Sequence, residues 1–160
     1  MKKRIIPVFL LTLCLMSLFC ACGLFPDSTE FATEADNKVK VYLDYMAEQN
    51  VDAMYDMLYP GTVERDSFEK INEQMAEYCP LTKDYQINRT SYNVHSQFGN
   101  EKRKTVQSVF DLTFDEKEYV LITVYTIAGE ECGFTKFQVI TRAEYEAANS
   151  DVKIEPDCFT

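Results

Sequence analysis

The sequence predicts an α+β domain: two to three N-terminal helices packed on a curved four-stranded antiparallel sheet. Three observations carry this. Between Asp36 and Tyr78, apolar residues recur at the three-to-four spacing of a helix face. After Pro80 the period changes to two, as in strands with one buried face. The alternating stretches are joined by GNEKRK, DEKE and AGEECG, short segments that suit hairpin connections. Helices followed by a run of strands is the α+β order, with the helices gathered on one face of the sheet.

The first helix is expected from Asp36, with Val39, Tyr42, Leu43 and Met46 as its buried face. A short second helix carries Val51, Met54, Met57 and Leu58, and Pro60-Gly61 stops it. The third is signalled by Asp66-Ser67-Phe68-Glu69, an acid cap with a glutamate three residues on. Its face is Phe68, Ile71, Met75 and Tyr78, and Pro80 closes it. Met46, Met54, Met57 and Met75 at this spacing read as core filler, because a flexible thioether fills irregular gaps.

Four strands follow. Residues 84–98 alternate, but the apolar phase slips between Ile87 and Tyr92, which predicts a bulge. Residues 105–114 set Val106, Phe110, Leu112 and Phe114 on one face. Residues 119–127, YVLITVYTI, are apolar on both faces and rich in β-branched and aromatic side chains, the signature of a central strand. Residues 134–142 form the last strand, and AEYEAA adds a closing helical turn or two.

Ahead of the domain stands a different signal. Met1-Lys2-Lys3-Arg4 is a positive start, and Ile5 to Phe19 is an uncharged apolar run, the order of a secretory signal. Counted on to Phe25, the run is long enough to span a bilayer core of about 30 Å, so a retained anchor is the rival reading. Phe19-Cys20-Ala21-Cys22-Gly23 decides for cleavage: it resembles a bacterial lipobox, with small Ala21 before the cut and Cys22 as lipid acceptor. Two acyl chains on Cys22 anchor stably where one is marginal. The expected organisation is therefore a signal peptide over 1–21, an acidic spacer over 22–35, the α+β domain over 36–149 and a tail over 150–160. The spacer is expected to reach roughly 40 Å from the bilayer at about 3.5 Å per residue.

Charge narrows the partners. The chain carries −10, becoming −13 once Lys2, Lys3 and Arg4 leave with the signal. So acidic a body repels phosphate polymers and anionic membranes, and nucleic acid is not expected as a partner. Beyond the lipid acceptor, Cys79, Cys132 and Cys158 remain, and three thiols leave one unpaired. Cys79 and Cys132 are the candidate disulfide pair, with free structural cysteines as the simpler reading. No C-x-x-C joins them and His95 is the only histidine, so neither a metal site nor a cofactor is expected.

The stretch VKVYLDYMAEQNVDAMYDMLYP and the closing YVLITVYTI with GFTKFQVIT are similar to the cystatin-like, nuclear-transport-factor-2-like superfamily, in particular its small bacterial lipoproteins. The resemblance covers about residues 36–141. It implies a sheet curled around helices into a cone, usable as a pocket, and sheets that often pair face to face, which makes a homodimer an expectation. Where the family often has a lysine–tryptophan pair, this chain has Lys136-Phe137.

No catalytic set is expected. The Asp-His pair common in catalytic relatives has no match here, and G-x-S-x-G, P-loop and calcium-loop spacings are absent from the sequence. The functional expectation is a lipid-anchored extracytoplasmic binding or interaction module, not an enzyme. It would take a protein partner or a small apolar ligand on a surface drawn from Tyr92, His95, Tyr119 and Tyr125. The alternative is a small hydrolase or isomerase using the cone, with His95 as base. Lys102-Arg103-Lys104 is a basic spot expected at a hairpin tip.

Overall fold

The computed structural model describes residues 28–97 and 102–150. The stretch expected to be a signal peptide, Cys22 and Cys158 lie outside them. The chain runs α1 (Ser28–Ala47), α2 (Val51–Asp56), α3 (Arg65–Tyr78), β1 (Gln86–Gln97), β2 (Arg103–Phe114), β3 (Lys117–Ala128), β4 (Glu131–Thr141) and α4 (Arg142–Ser150). The strands form one antiparallel sheet in the order β1-β2-β3-β4. The fold is the α+β meander that the periodicity predicts.

Helix α1 begins at Ser28, not Asp36, so most of the stretch read as spacer belongs to the domain. Phe31, Ala32 and Ala35 are buried and continue the stripe of Val39, Tyr42, Leu43 and Met46. A stripe made of one aromatic and two alanines among acids carries little hydropathy, which hides its period. At the other end Asn50 caps α2, its Oδ1 accepting from the Ala53 N–H at 3.2 Å.

Helix α3 departs from expectation at its start. Its cap is Glu64, which makes no side-chain capping bond, so Asp66 lies inside the first turn and the anticipated box does not form. A reciprocal box forms instead at α4. The Glu144 N–H donates to Thr141 Oγ1 at 3.2 Å, while the Thr141 N–H donates to Glu144 Oε2 at 2.9 Å. The Tyr78 hydroxyl also donates to Glu144 Oε2, tying the end of α3 to the start of α4.

The sheet buries the face turned to the helices. One row across it is Arg89–Phe110–Leu121–Val139, another Val94–Val106–Tyr125–Phe134. Phe31 meets Tyr125 and Tyr42 meets Phe134, joining α1 to these rows. The expected bulge in β1 lies between Arg89 and Ser91, and a second falls at Thr135 in β4. Both bulge residues are threonines on edge strands. Thr90 and Thr135 donate through Oγ1 to the Val109 and Val124 carbonyls of the neighbouring strands, at 3.0 and 3.3 Å. Strand β3 is interior, with Val120 and Thr126 buried on its second face as well.

Candidate functional site

Only Phe68 of α3 is buried. Ile71 is 52% and Tyr78 41% exposed, although their spacing predicts an inward face. The start of the helix is tied to α2. Arg65 bridges to Asp52 of α2 and to Glu69, at 2.8 Å for the latter, and its guanidinium lies 4.9 Å from the Tyr55 ring. Tyr55 in turn packs on Phe68 at 5.4 Å and donates to the Val63 carbonyl at 3.2 Å. What this leaves between α1, α2, α3 and β4 is a half-open apolar pocket of about 250 Å³.

The pocket wall combines Tyr42 and Met46 of α1, Met54 of α2, Phe68 and Met75 of α3, and Phe137 of β4. Tyr42 and Phe137 stack with ring centroids 4.0 Å apart, and Phe134 meets both edge-on. Offset aromatic packing of this kind makes a stiff wall. The three methionines on the other side are adaptable. Asn72, Thr62 and Thr135 supply polar groups. Lys136 contributes at the rim, its register partner Val124 belonging to the helix-free face of the sheet.

Among the described residues no carboxylate, imidazole or thiol lines this pocket. Burial drives the Tyr42 phenol well above its ordinary value, so it stays protonated at neutral pH. The arrangement can therefore hold an apolar group.

The four residues expected to share a surface are not brought together. Tyr119 and Tyr125 are buried in the core, 4% and 2% exposed. Tyr92 is exposed on the helix-side face, where the Arg89 guanidinium stacks on its ring at 4.3 Å. His95 pairs with Thr105 and points to the opposite face. The reason is the alternation of β1, which puts neighbouring side chains on opposite faces, together with a core that absorbs the β3 tyrosines. His95 borders an open depression that no carboxylate lines.

The cysteine pairing is also corrected. Cys79 and Cys132 are both free. Cys79 is close to Tyr119, while Cys132 is beside Tyr125, six positions along the same strand. At about 3.3 Å per residue this separates them by roughly 20 Å, far beyond disulfide reach. Cys132 sits in strand β4, because the turn is closed by Gly129 and Glu130 alone. Burial pushes the Cys79 thiol up to about 11, leaving it unreactive.

Sequence reasoning placed Tyr42, Met46, Met54, Phe68 and Met75 facing inward, but not the space they enclose. Val63 and Thr62, in the α2–α3 loop, were missed. The available signal was Asn72, a polar residue flanked by Phe68, Ile71 and Met75, which marks a face incompletely committed to the core. Among the described residues no group of side chains is arranged to hold a metal ion, and no helix is long and apolar enough to cross a membrane. No family model, curated protein or solved structure matches the chain.

Proposed function

We propose that this protein is a lipid-anchored binding module of the extracytoplasmic membrane face, in the manner of a small cystatin-like lipoprotein. Its working part is the pocket between α3 and the sheet. The observation that carries this reading is the pocket itself. Seven aromatic and methionine side chains line about 250 Å³ from which every carboxylate is absent, in a chain of 26 acidic residues. Concave apolar surfaces with a few polar groups are the usual form of small-molecule sites, and this one falls just below their common size of about 300–1,000 Å³. The ligand is an apolar group of modest size, brought by a small molecule or by one side chain of a partner protein. Anchoring through Cys22 rests on the Phe19–Gly23 motif and places the pocket at the bilayer surface.

Two measurements test the two halves. Mass spectrometry of the native protein should find Cys22 at the amino terminus carrying a diacylglyceryl group, and an intact Met1 would contradict it. Photolabelling of the full chain in lipid nanodiscs with an alkyl diazirine should mark Phe68, Met75 and Met54. Labelling that avoids all three would contradict the pocket.

A further inference from the structure

The sheet face turned away from α1 to α3 holds a second concavity, an open depression of about 460 Å³. His95, Gln97, Arg103, Thr105, Thr126 and Thr135 line it. The register explains how they meet: His95, Thr105 and Thr126 lie side by side across β1, β2 and β3. Thr105 and Thr126 share a hydrogen bond between their Oγ1 atoms at 3.2 Å, which fixes both hydroxyls. Thr135 stands at the β4 bulge, so its side chain leaves the regular alternation and joins the rim.

Arg103 is held by a separate device. Its guanidinium carbon lies 5.5 Å from the Tyr59 ring centroid. Tyr59 itself is pinned to the sheet edge, its N–H donating to the Phe134 carbonyl at 3.0 Å. Stacking on a ring occupies the face of a guanidinium and leaves its edge of N–H donors available. Lys136 adds a second cation on this face by register, opposite Val124.

Arginine offers only donors, and imidazole and hydroxyl groups can donate as well. Among the described residues no carboxylate lines the depression, in a molecule of strongly negative net charge. Among the described residues, the neighbouring acid on this face by register is Glu131, two strands from Arg103 and so about 10 Å away. Acids farther off are muted, because the screening length is about 8 Å at physiological salt. A site of donors around one fixed cation complements an oxyanion, and arginine with hydroxyls suits the tetrahedral oxygens of phosphate.

The geometry points to a binding site for a small phosphate ester on the helix-free face, with Arg103 and Thr105 holding the phosphate and His95 beside it. The volume lies within the range of about 300–1,000 Å³ typical of ligand pockets, room for a phosphate and a small organic body. The site opens on the other face of the sheet from the apolar pocket and shares only Thr135 with its lining.

His95 is the only histidine, so its imidazole resonances report on this face alone. The full chain in phosphatidylcholine nanodiscs is titrated at fixed pH and ionic strength with inorganic phosphate, with glycerol 3-phosphate and with chloride. A further sample replaces part of the lipid with phosphatidylglycerol and contains no free phosphate. The expected result is a saturable His95 shift with both phosphates and none with chloride or phosphatidylglycerol. Arg103→Gln and Thr105→Val should each weaken it, the first at least tenfold, with the amide spectrum elsewhere unchanged. A response equal to that of chloride, or one indifferent to both substitutions, overturns the site. A shift produced by phosphatidylglycerol discs alone overturns the small-molecule assignment and makes the lipid headgroup the source.

Discussion

Gly133 and Tyr59 approach so closely that a β-carbon on Gly133 would lie 2.4 Å from the Tyr59 nitrogen. The same atom would meet the Leu58 carbonyl oxygen at 2.7 Å. Backbone, not a movable side chain, fills the space. The contact lets the segment after α2 lie along the edge of β4, where Phe134 donates to the Met57 carbonyl at 2.9 Å. Leu58 then reaches the pocket and Tyr59 reaches Arg103. One glycine thus positions a residue of each concavity. Gly133→Ala should lower stability by about 3 kcal/mol, the upper part of the usual overpacking range. Urea denaturation measures it, and an unchanged midpoint would mean the crossing is not as close as described.

The pocket makes a paired prediction about α3. Ile71 is largely exposed at the mouth, so Ile71→Ala should leave stability within about 0.5 kcal/mol. Phe68 is the helix's one buried anchor, and Phe68→Ala should cost about 3 kcal/mol. Both should reduce alkyl diazirine labelling at Met75. Equal stability costs would show that α3 packs more tightly than its exposure indicates.

A third prediction concerns pH. The Tyr78 hydroxyl, together with the hydroxyl and N–H of Thr141, holds the Glu144 carboxyl below its ordinary value. A carboxyl depressed in the folded state stabilises above its unfolded value of about 4.3, and loses that contribution as pH falls through the folded value. Docking of α4 should therefore be constant from pH 7 to about 5 and weaken below about 4. Amide exchange of residues 142–149 reads this directly. In Glu144→Gln those amides should exchange faster at neutral pH and lose their acid dependence.

The β2–β3 turn offers a gain. Phe114 pairs with Lys117 across two central residues, Asp115 and Glu116, whose φ values are 48° and 61°. A left-handed conformation costs a side-chain-bearing residue about 1–2 kcal/mol. Glycine avoids that but adds roughly 0.5–1 kcal/mol of unfolded-chain entropy. The first effect is larger, so Glu116→Gly should stabilise by about 0.5–1 kcal/mol. Thermal unfolding checks the sign.

Where a single face decided the structure, the sequence was readable. The strands and the β1 bulge announced by the slip between Ile87 and Tyr92 follow from alternation, and the interior place of β3 from a run apolar on both faces. Asn50, directly before the first residue of the α2 stripe, serves as the cap of that helix. The first turns of α1 were not, because Phe31, Ala32 and Ala35 make a thin stripe between acids and acquire meaning only against Tyr125. The cap of α4 was written in Thr141-x-x-Glu144, yet the chain offered the same pattern of an acid and a glutamate at Asp66, where no box forms. The pocket and the depression depend on how far α3 stands from the sheet and on which strands adjoin. Those are tertiary distances, which no local period encodes.

Methyl-labelled methionine in the full chain gives the most direct measurement. Met46, Met54 and Met75 line the pocket and Met57 does not, so these four of the chain's six methionine methyls form a probe with its own control. Under xenon pressure in nanodiscs, the first three should shift saturably while Met57 stays nearly still. Four methyls that move alike, or none that moves, would contradict an apolar binding pocket at the heart of this protein.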